Sequence, residues 1–152
     1  MEFALVVLVI TVALMFDYIN GFHDAANSIA TVVSTRVLSP QLAVVWAAFF
    51  NFIAFLFFSH AVANTIGKGI IDPDIVTPAV IFGALMGAII WNILTWILGI
   101  PSSSSHALVG GLVGSGLAAG GFDVIVAAGV IKTAAFIFLA PILGMFMAIL
   151  LV

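Results

Sequence analysis

Cysteine is absent from the chain, and charge nearly so. Without cysteine there is neither a disulfide nor a thiolate metal site. Of 152 residues, only Glu2, Asp17, Asp24, Asp72, Asp74, Asp123, Arg36, Lys68 and Lys132 are charged. Three scattered basic residues make no patch, which excludes a nucleic-acid partner. They also leave the positive-inside rule too little to fix an orientation. The N-terminus has no basic region ahead of its apolar run and no small-residue cleavage site, so the first helix is expected to be retained.

What fills the chain instead is apolar: 65% of its residues are hydrophobic, and its mean hydropathy is +1.44. A water-soluble domain of this size cannot hide so much apolar side chain, because its surface must stay largely polar. The apolar runs are long and continuous, unlike the short alternating segments of a transmembrane barrel. The fold class is therefore an all-α integral membrane protein.

Five membrane segments are predicted. The first starts near Phe3 and runs to about Phe22. A polar stretch, 24–38, follows and is too short to cross by itself. Further runs cover about 41–66, 79–99, 102–121 and 123–152. The piece "GKGIIDPDIVTP" (67–78) reads as a loop, with Gly, Pro and charge. The 102–121 run is short for a span of ~20 residues, so it is either a full short span or half of a re-entrant hairpin. Pro101 suits a first helical turn, so that helix is expected to open directly after it.

Two stretches stand out against this background. In "DYINGFHDAANSIATVVST" (17–35), helical spacing puts Asp17, Asn20, Asp24, Asn27, Ser28, Thr31 and Thr35 on one face. Asp24, Asn27, Ser28 and Thr31 hold the i, i+3, i+4, i+7 spacing of an amphipathic helix. A wall of carboxylate, amide and hydroxyl oxygens suits a hard cation. The bland reading is a polar face lying at the membrane surface. The near-absence of basic residues argues against that. Gly21 is a candidate break, which would split the stripe in two.

The second stretch is "PSSSSH" (101–106). A helix starting there leaves its first N–H groups unpaired and carries the positive end of the helix dipole. With four serine hydroxyls added, it makes an oxyanion cradle that needs no lysine or arginine. Capping and small-residue packing explain one or two of the serines, and His106 with the rest is a surplus. His106 has no second His or acid at ligand spacing, so no metal site is expected beyond a coupling cation. Asn51, Asn92 and Thr95 sit inside apolar runs, where each needs an interhelical partner or a substrate. His60 and Asn64 fit a span end better. Trp46, Trp91 and Trp96 are expected to pack or to sit at the interfacial belt.

The segments "GFHDAANSIATVVSTRVLSPQLAVVWAAFFNF" and "AIIWNILTWILGIPSSSSHALVGGLVG" resemble the signature segments of the inorganic phosphate transporter (Pit) family, over about residues 13–121. The resemblance implies a secondary active transporter of inorganic phosphate, coupled to a cation gradient and built from two inverted repeats. It places the protein in a cell membrane as a multi-pass protein, the inner or plasma membrane of a prokaryote. Residue by residue, it implies phosphate binding by Asp24, Asn27, Ser28, Ser103, Ser104, Ser105 and His106. It implies cation binding by Asp24, Asn27, Thr31, Asn51 and Asn92. Only one repeat is visible, so residues 1–152 are expected to form a single transmembrane domain, the N-terminal half of a transporter. The second repeat would come from the same natural chain or from an antiparallel copy, and a homo-oligomer is expected.

The resemblance also raises an electrostatic problem. An anion beside Asp24 in low dielectric is repelled by several kcal/mol, and no basic residue lies near. Something positive must accompany it: Na+, H+ on Asp24, or a metal already bound to phosphate. The expectation is symport, with no other cofactor. Two rivals stand beside it. One is a structural membrane subunit without transport of its own, against which the polar stripe argues. The other is an intramembrane serine hydrolase, but no G-x-S-x-G elbow is present and adjacent helical side chains such as Ser105 and His106 diverge by ~100°.

Overall fold

Backbone groups in apolar surroundings must pair within their own segment, which a helix provides. The computed structural model describes residues 2–151, without the side chains of residues 2, 55 and 58–68. It is built of five helices: α1 (Glu2–Ser34), α2 (Pro40–Gly69), α3 (Pro78–Ile97), α4 (Ser104–Gly120) and α5 (Ala127–Leu151). The five expected segments correspond to these helices. Among the described residues three are long and apolar enough to cross a membrane by length and composition: α1 from Phe3, α3 and α5. With 17 residues, α4 is roughly 25 Å long, shorter than a hydrocarbon core of ~30 Å.

Local chemistry sets the helix starts. Pro40 and Pro78 stand in the first turns of α2 and α3, where a missing N–H costs nothing. The Ser39 and Thr77 hydroxyls accept from the N–H groups of Leu42 (3.4 Å) and Val80 (3.3 Å). Two expectations change. Gly21 does not break α1: the helix runs through it, and residues 24–34 are its continuation rather than a separate segment. One glycine costs a helix about 1 kcal/mol, too little to end 33 residues in apolar surroundings. Nor does α4 open at Pro101. Ser103 is its N-cap, extended at φ −96° and ψ 118°, and Ser104 is its first helical residue. His60 and Asn64 fall outside the described side chains.

α1 and α3 lie side by side in the same direction. Phe16 and Ile19 pack on Leu85, Ala88 and Ile89, and further along the Phe22 and Trp96 rings meet edge to face, 5.5 Å between centroids. α3 and α4 form an antiparallel hairpin. Its turn begins where α3 ends on Gly99, at φ +65°, with the Ile100 N–H donating to the Thr95 carbonyl at 2.9 Å. At the tip, the Asn27 Nδ2 donates to the Ser102 carbonyl at 3.4 Å. The tip therefore stops beside Asn27, about 10 Å short of the end of α1 at Ser34.

The opposite end of the hairpin is tied by backbone. Asp72 N–H donates to the Val124 carbonyl (2.8 Å) and Val126 N–H to the Ile70 carbonyl (3.0 Å). Ile70, Ile71 and Val80 are buried beneath this clasp against Leu112, Val113 and Ile125.

Between clasp and tip the helices approach through glycine. A Cβ at Gly111 would collide with the Ala84 carbonyl oxygen, whereas one at Gly114 would meet nothing. Gly111→Ala is therefore expected to destabilise the fold by about 1–3 kcal/mol, the range for overpacking. Gly114→Ala is expected to be neutral or slightly stabilising. Thermal unfolding of both variants in detergent micelles checks this: equal midpoints would show that the close approach is not needed.

Candidate functional site

The polar stripe and the serine run meet. Because α1 is continuous and α4 starts at Ser104, the first helical serine lands against Asn20 and Asp24, one turn apart on α1. The Ser104 Oγ lies 3.0 Å from Asp24 Oδ2 and also contacts Asn20 Oδ1. Ser104 is fully buried between α1 and the hairpin, while Asn20 and Asp24 are half-buried. Ser104 Nα–H and Ser105 Nα–H stand in the first turn of α4, where no intrahelical acceptor exists. The dipole of α4 adds partial positive charge there.

The serines divide by direction. A hydroxyl has one hydrogen, and that of Ser104 is directed at the Asn20 and Asp24 oxygens. Ser103 Oγ instead accepts, from the His106 N–H at 3.3 Å, as an N-cap does. Ser102 Oγ also accepts, from the Trp91 indole N–H at 3.1 Å. Ser102, Ser103, His106 and Trp91 line one end of a cavity of about 870 Å³ that continues along the α3–α4 hairpin past Gly87 and Gly110. Ser105 is exposed and lines neither feature.

The other residues expected at the site are placed as follows. Asn27 joins the tip through the Ser102 carbonyl. Ser28 and Asn51 meet elsewhere, on a cavity of about 340 Å³ between α1 and α2 that Trp46 and Phe50 also line. The Ser28 hydroxyl donates back to the Ala25 carbonyl at 3.0 Å. Thr31 is exposed, with its carbonyl capping the end of α1 by accepting from Thr35 N–H at 3.0 Å. The structure thus brings Asp24, Asn27, Ser103, Ser104 and His106 to the tip, and leaves Ser28, Thr31 and Asn51 away from it. The stripe is one face of α1, but that face meets two neighbours.

Asn92 is fully buried, one turn beyond Ala88 and Ile89 on the buried face of α3. Among the described residues neither its Nδ2 nor its Oδ1 finds a partner, and the same holds for Nδ1 of buried His23. His23 and Thr95 line a small cavity with Asn27 under the Gly99–Pro101 turn. Sequence reasoning passed over His23, and it put Asn20 on the stripe but not in the site. The four-residue spacing of Asn20 and Asp24 was the available signal for Asn20; nothing marked His23. Among the described residues no group of three or more His, Asp or Glu side chains is placed to hold a metal ion. The oxygens of Asn20, Asp24 and Ser104 form instead a small hard-donor set of the kind that holds a single light cation.

A buried amide without partners carries a desolvation penalty that an apolar side chain of similar shape lacks. Asn92→Leu is therefore expected to leave the fold as stable as before or about 1 kcal/mol more stable. A clear fall in the unfolding midpoint would reveal a partner that holds the amide.

Comparison with known proteins gives one consistent answer. The model of the phosphate transporter family matches residues 20–152. The chain is 68% identical over 152 residues to a protein of Rhizobium meliloti (strain 1021) named probable low-affinity inorganic phosphate transporter, covering 100% of this chain and 46% of that protein. It is 47% identical over 142 residues to a protein of the same name from Bacillus subtilis (strain 168), covering 92% of this chain and 42% of that one. It is 44% identical over 120 residues to the low-affinity inorganic phosphate transporter PitB of Escherichia coli (strain K12), covering 74% and 24%. The chain thus spans less than half the length of these relatives. No solved structure matches it.

Proposed function

Because the chain belongs to the phosphate transporter family, we propose that it forms one half of a multi-pass secondary transporter that carries inorganic phosphate with a cation. The observation that carries this reading is the two-sided tip. On one side Ser104 turns its hydroxyl to Asn20 and Asp24. On the other, Ser102, Ser103 and His106 face a cavity beside the first turn of α4. The relatives named above are phosphate transporters, and they are about twice as long as this chain or longer, which supports a second half completing the site.

Each part has a physical role. The start of α4 offers N–H groups and a positive dipole end to an oxyanion, the arrangement that broken membrane helices use for anionic substrates. Asp24 gives the site negative charge. No lysine or arginine occurs between Lys68 and Lys132, and none precedes Arg36, which lies beyond the end of α1. An anion entering beside the carboxylate is repelled by several kcal/mol in a water-poor setting. A cation held by the Asp24, Asn20 and Ser104 oxygens removes that repulsion and makes loading of the two ions interdependent. Na+ fits the oxygen donors, and H+ on Asp24 achieves the same neutralisation. Asn27 acts at the tip backbone, and Asn92 supplies a further oxygen from α3. Rocking of one half against the other exposes the site to alternate sides.

In cells lacking their own phosphate uptake and expressing the natural reading frame that encodes this chain, Asp24→Asn is expected to lower uptake at least a hundred-fold. The amount of protein in the membrane should not change. Wild-type uptake by this variant removes Asp24 from the mechanism. Collapsing the sodium and proton gradients one at a time then identifies the coupled ion. Uptake against a concentration gradient that survives the loss of both rules out cation coupling.

A further inference from the structure

Ser102 is a serine of the run that helix capping does not explain, and the indole of Trp91 restricts how its hydroxyl points. Resting on the phosphate reading, we propose that Trp91 is a positioning residue: its indole N–H occupies an acceptor position of Ser102 Oγ and so presents the Ser102 hydrogen to the oxyanion.

The argument starts from donor and acceptor inventories. An indole Nε1–H only donates. At 3.1 Å from Ser102 Oγ it must be the donor, and the hydroxyl oxygen the acceptor. The hydroxyl hydrogen then has to point away from the indole. Among the described residues no acceptor of the fold receives it. The oxygen itself is well fixed. The Ser102 carbonyl is held from α1 by Asn27 Nδ2 at 3.4 Å, and the side chain is held from α3 by Trp91. Residue 102 is braced from both helices that flank the tip.

Of the directions this leaves open, the proposal gives the hydrogen the one toward the cavity that Trp91, Ser102, Ser103 and His106 line together. Ser103 repeats the device. Its oxygen accepts from the His106 N–H, so its own hydrogen is also available. The two serines before the helix are thereby set as donors, while the first serine within it faces the acid. This division lets one short run serve an anion and a carboxylate at once, because each hydroxyl is committed to one partner by a fixed neighbour.

Trp91 would otherwise pass for a packing or interfacial residue, and the residue is indeed 52% exposed. Its placement is nonetheless specific. An indole N–H in apolar surroundings needs an acceptor, and the acceptor it has lies eleven residues ahead, across the turn.

The test uses phosphate uptake by the same natural reading frame, with Trp91→Phe, Ser102→Ala and the double variant, alongside thermal unfolding of each purified protein. A hydrogen bond to a charged group is worth about ten-fold in affinity. Ser102→Ala is expected to raise the half-saturation concentration for phosphate roughly ten-fold, and Trp91→Phe a few-fold, with the maximal rate and unfolding midpoint little changed. The double variant should match Ser102→Ala alone, since Trp91 acts through Ser102. A Trp91→Phe protein with wild-type half-saturation overturns the proposal. So does one whose only defects are a lower midpoint or a lower maximal rate, because the bond is then mere bracing. In both cases the phosphate reading stands as long as uptake still depends on Asp24. If the wild-type protein moves no phosphate, both fall together.

Discussion

A serine hydroxyl has a single hydrogen to give, and the arrangement of this protein follows from where Ser104 gives it. Seated between Asn20 and Asp24 and closed off from solvent, Ser104 joins the start of α4 to the middle of α1. An unpaired carboxylate in apolar surroundings is costly. The serine hydroxyl reduces that cost without cancelling the charge. What remains is negative potential at a helix end that favours negative ligands. The two tendencies oppose each other until a positive ion is added, which is the physical basis for reading the site as one for paired ions.

The rest of the fold places that helix end. Gly111 against the Ala84 carbonyl brings α3 and α4 closer than side chains would allow, and the backbone clasp between Ile70–Asp72 and Val124–Val126 anchors the far end of the hairpin. In a membrane, association of helices rests on such close packing, because lipid tails are as apolar as the side chains. With one end clasped and the middle locked, the tip has little freedom. α5 is different: none of its residues is buried. Its surface therefore stays available to lipid or to the second half of the proposed transporter.

How much of this was legible in the sequence varies by residue. The long apolar runs marked out the five helices. Helical spacing put Asp24 and Asn27 on one face, and the serine run marked the other wall. The spacing did not say which neighbour each residue meets. A face about 100° wide covers two helices, so Ser28 turned to α2 and Asn51 while Asn20 turned to Ser104. The start of α4 was misplaced by two residues because Pro101 competed with Ser103 as a helix-start signal, and the serine cap won. Gly21 looked like a break, but its cost is small beside a membrane helix's need for backbone pairing. Trp91 was expected to pack or to sit at the interfacial belt, since its bond to Ser102 depends on the hairpin turn and no periodicity in the chain encodes that.

Asn92 and His23 connect the packing to the site. Cores are expected to satisfy their polar atoms, and among the described residues the buried orphans belong to His23 on α1 and Asn92 on α3. Such groups are poor contributors to stability. An apolar residue at position 92 would bury as much surface without a stranded amide. Packing alone gives these atoms no reason to stay unpaired. On the proposed reading they have one. An ion that must be stripped of water on entry needs oxygen atoms already in place, and the Asn92 carbonyl oxygen is tied up in no hydrogen bond among the described residues. On that reading, leaving Asn92 unpaired keeps its carbonyl oxygen ready, and the desolvation cost of the bare amide would be relieved when the ion binds.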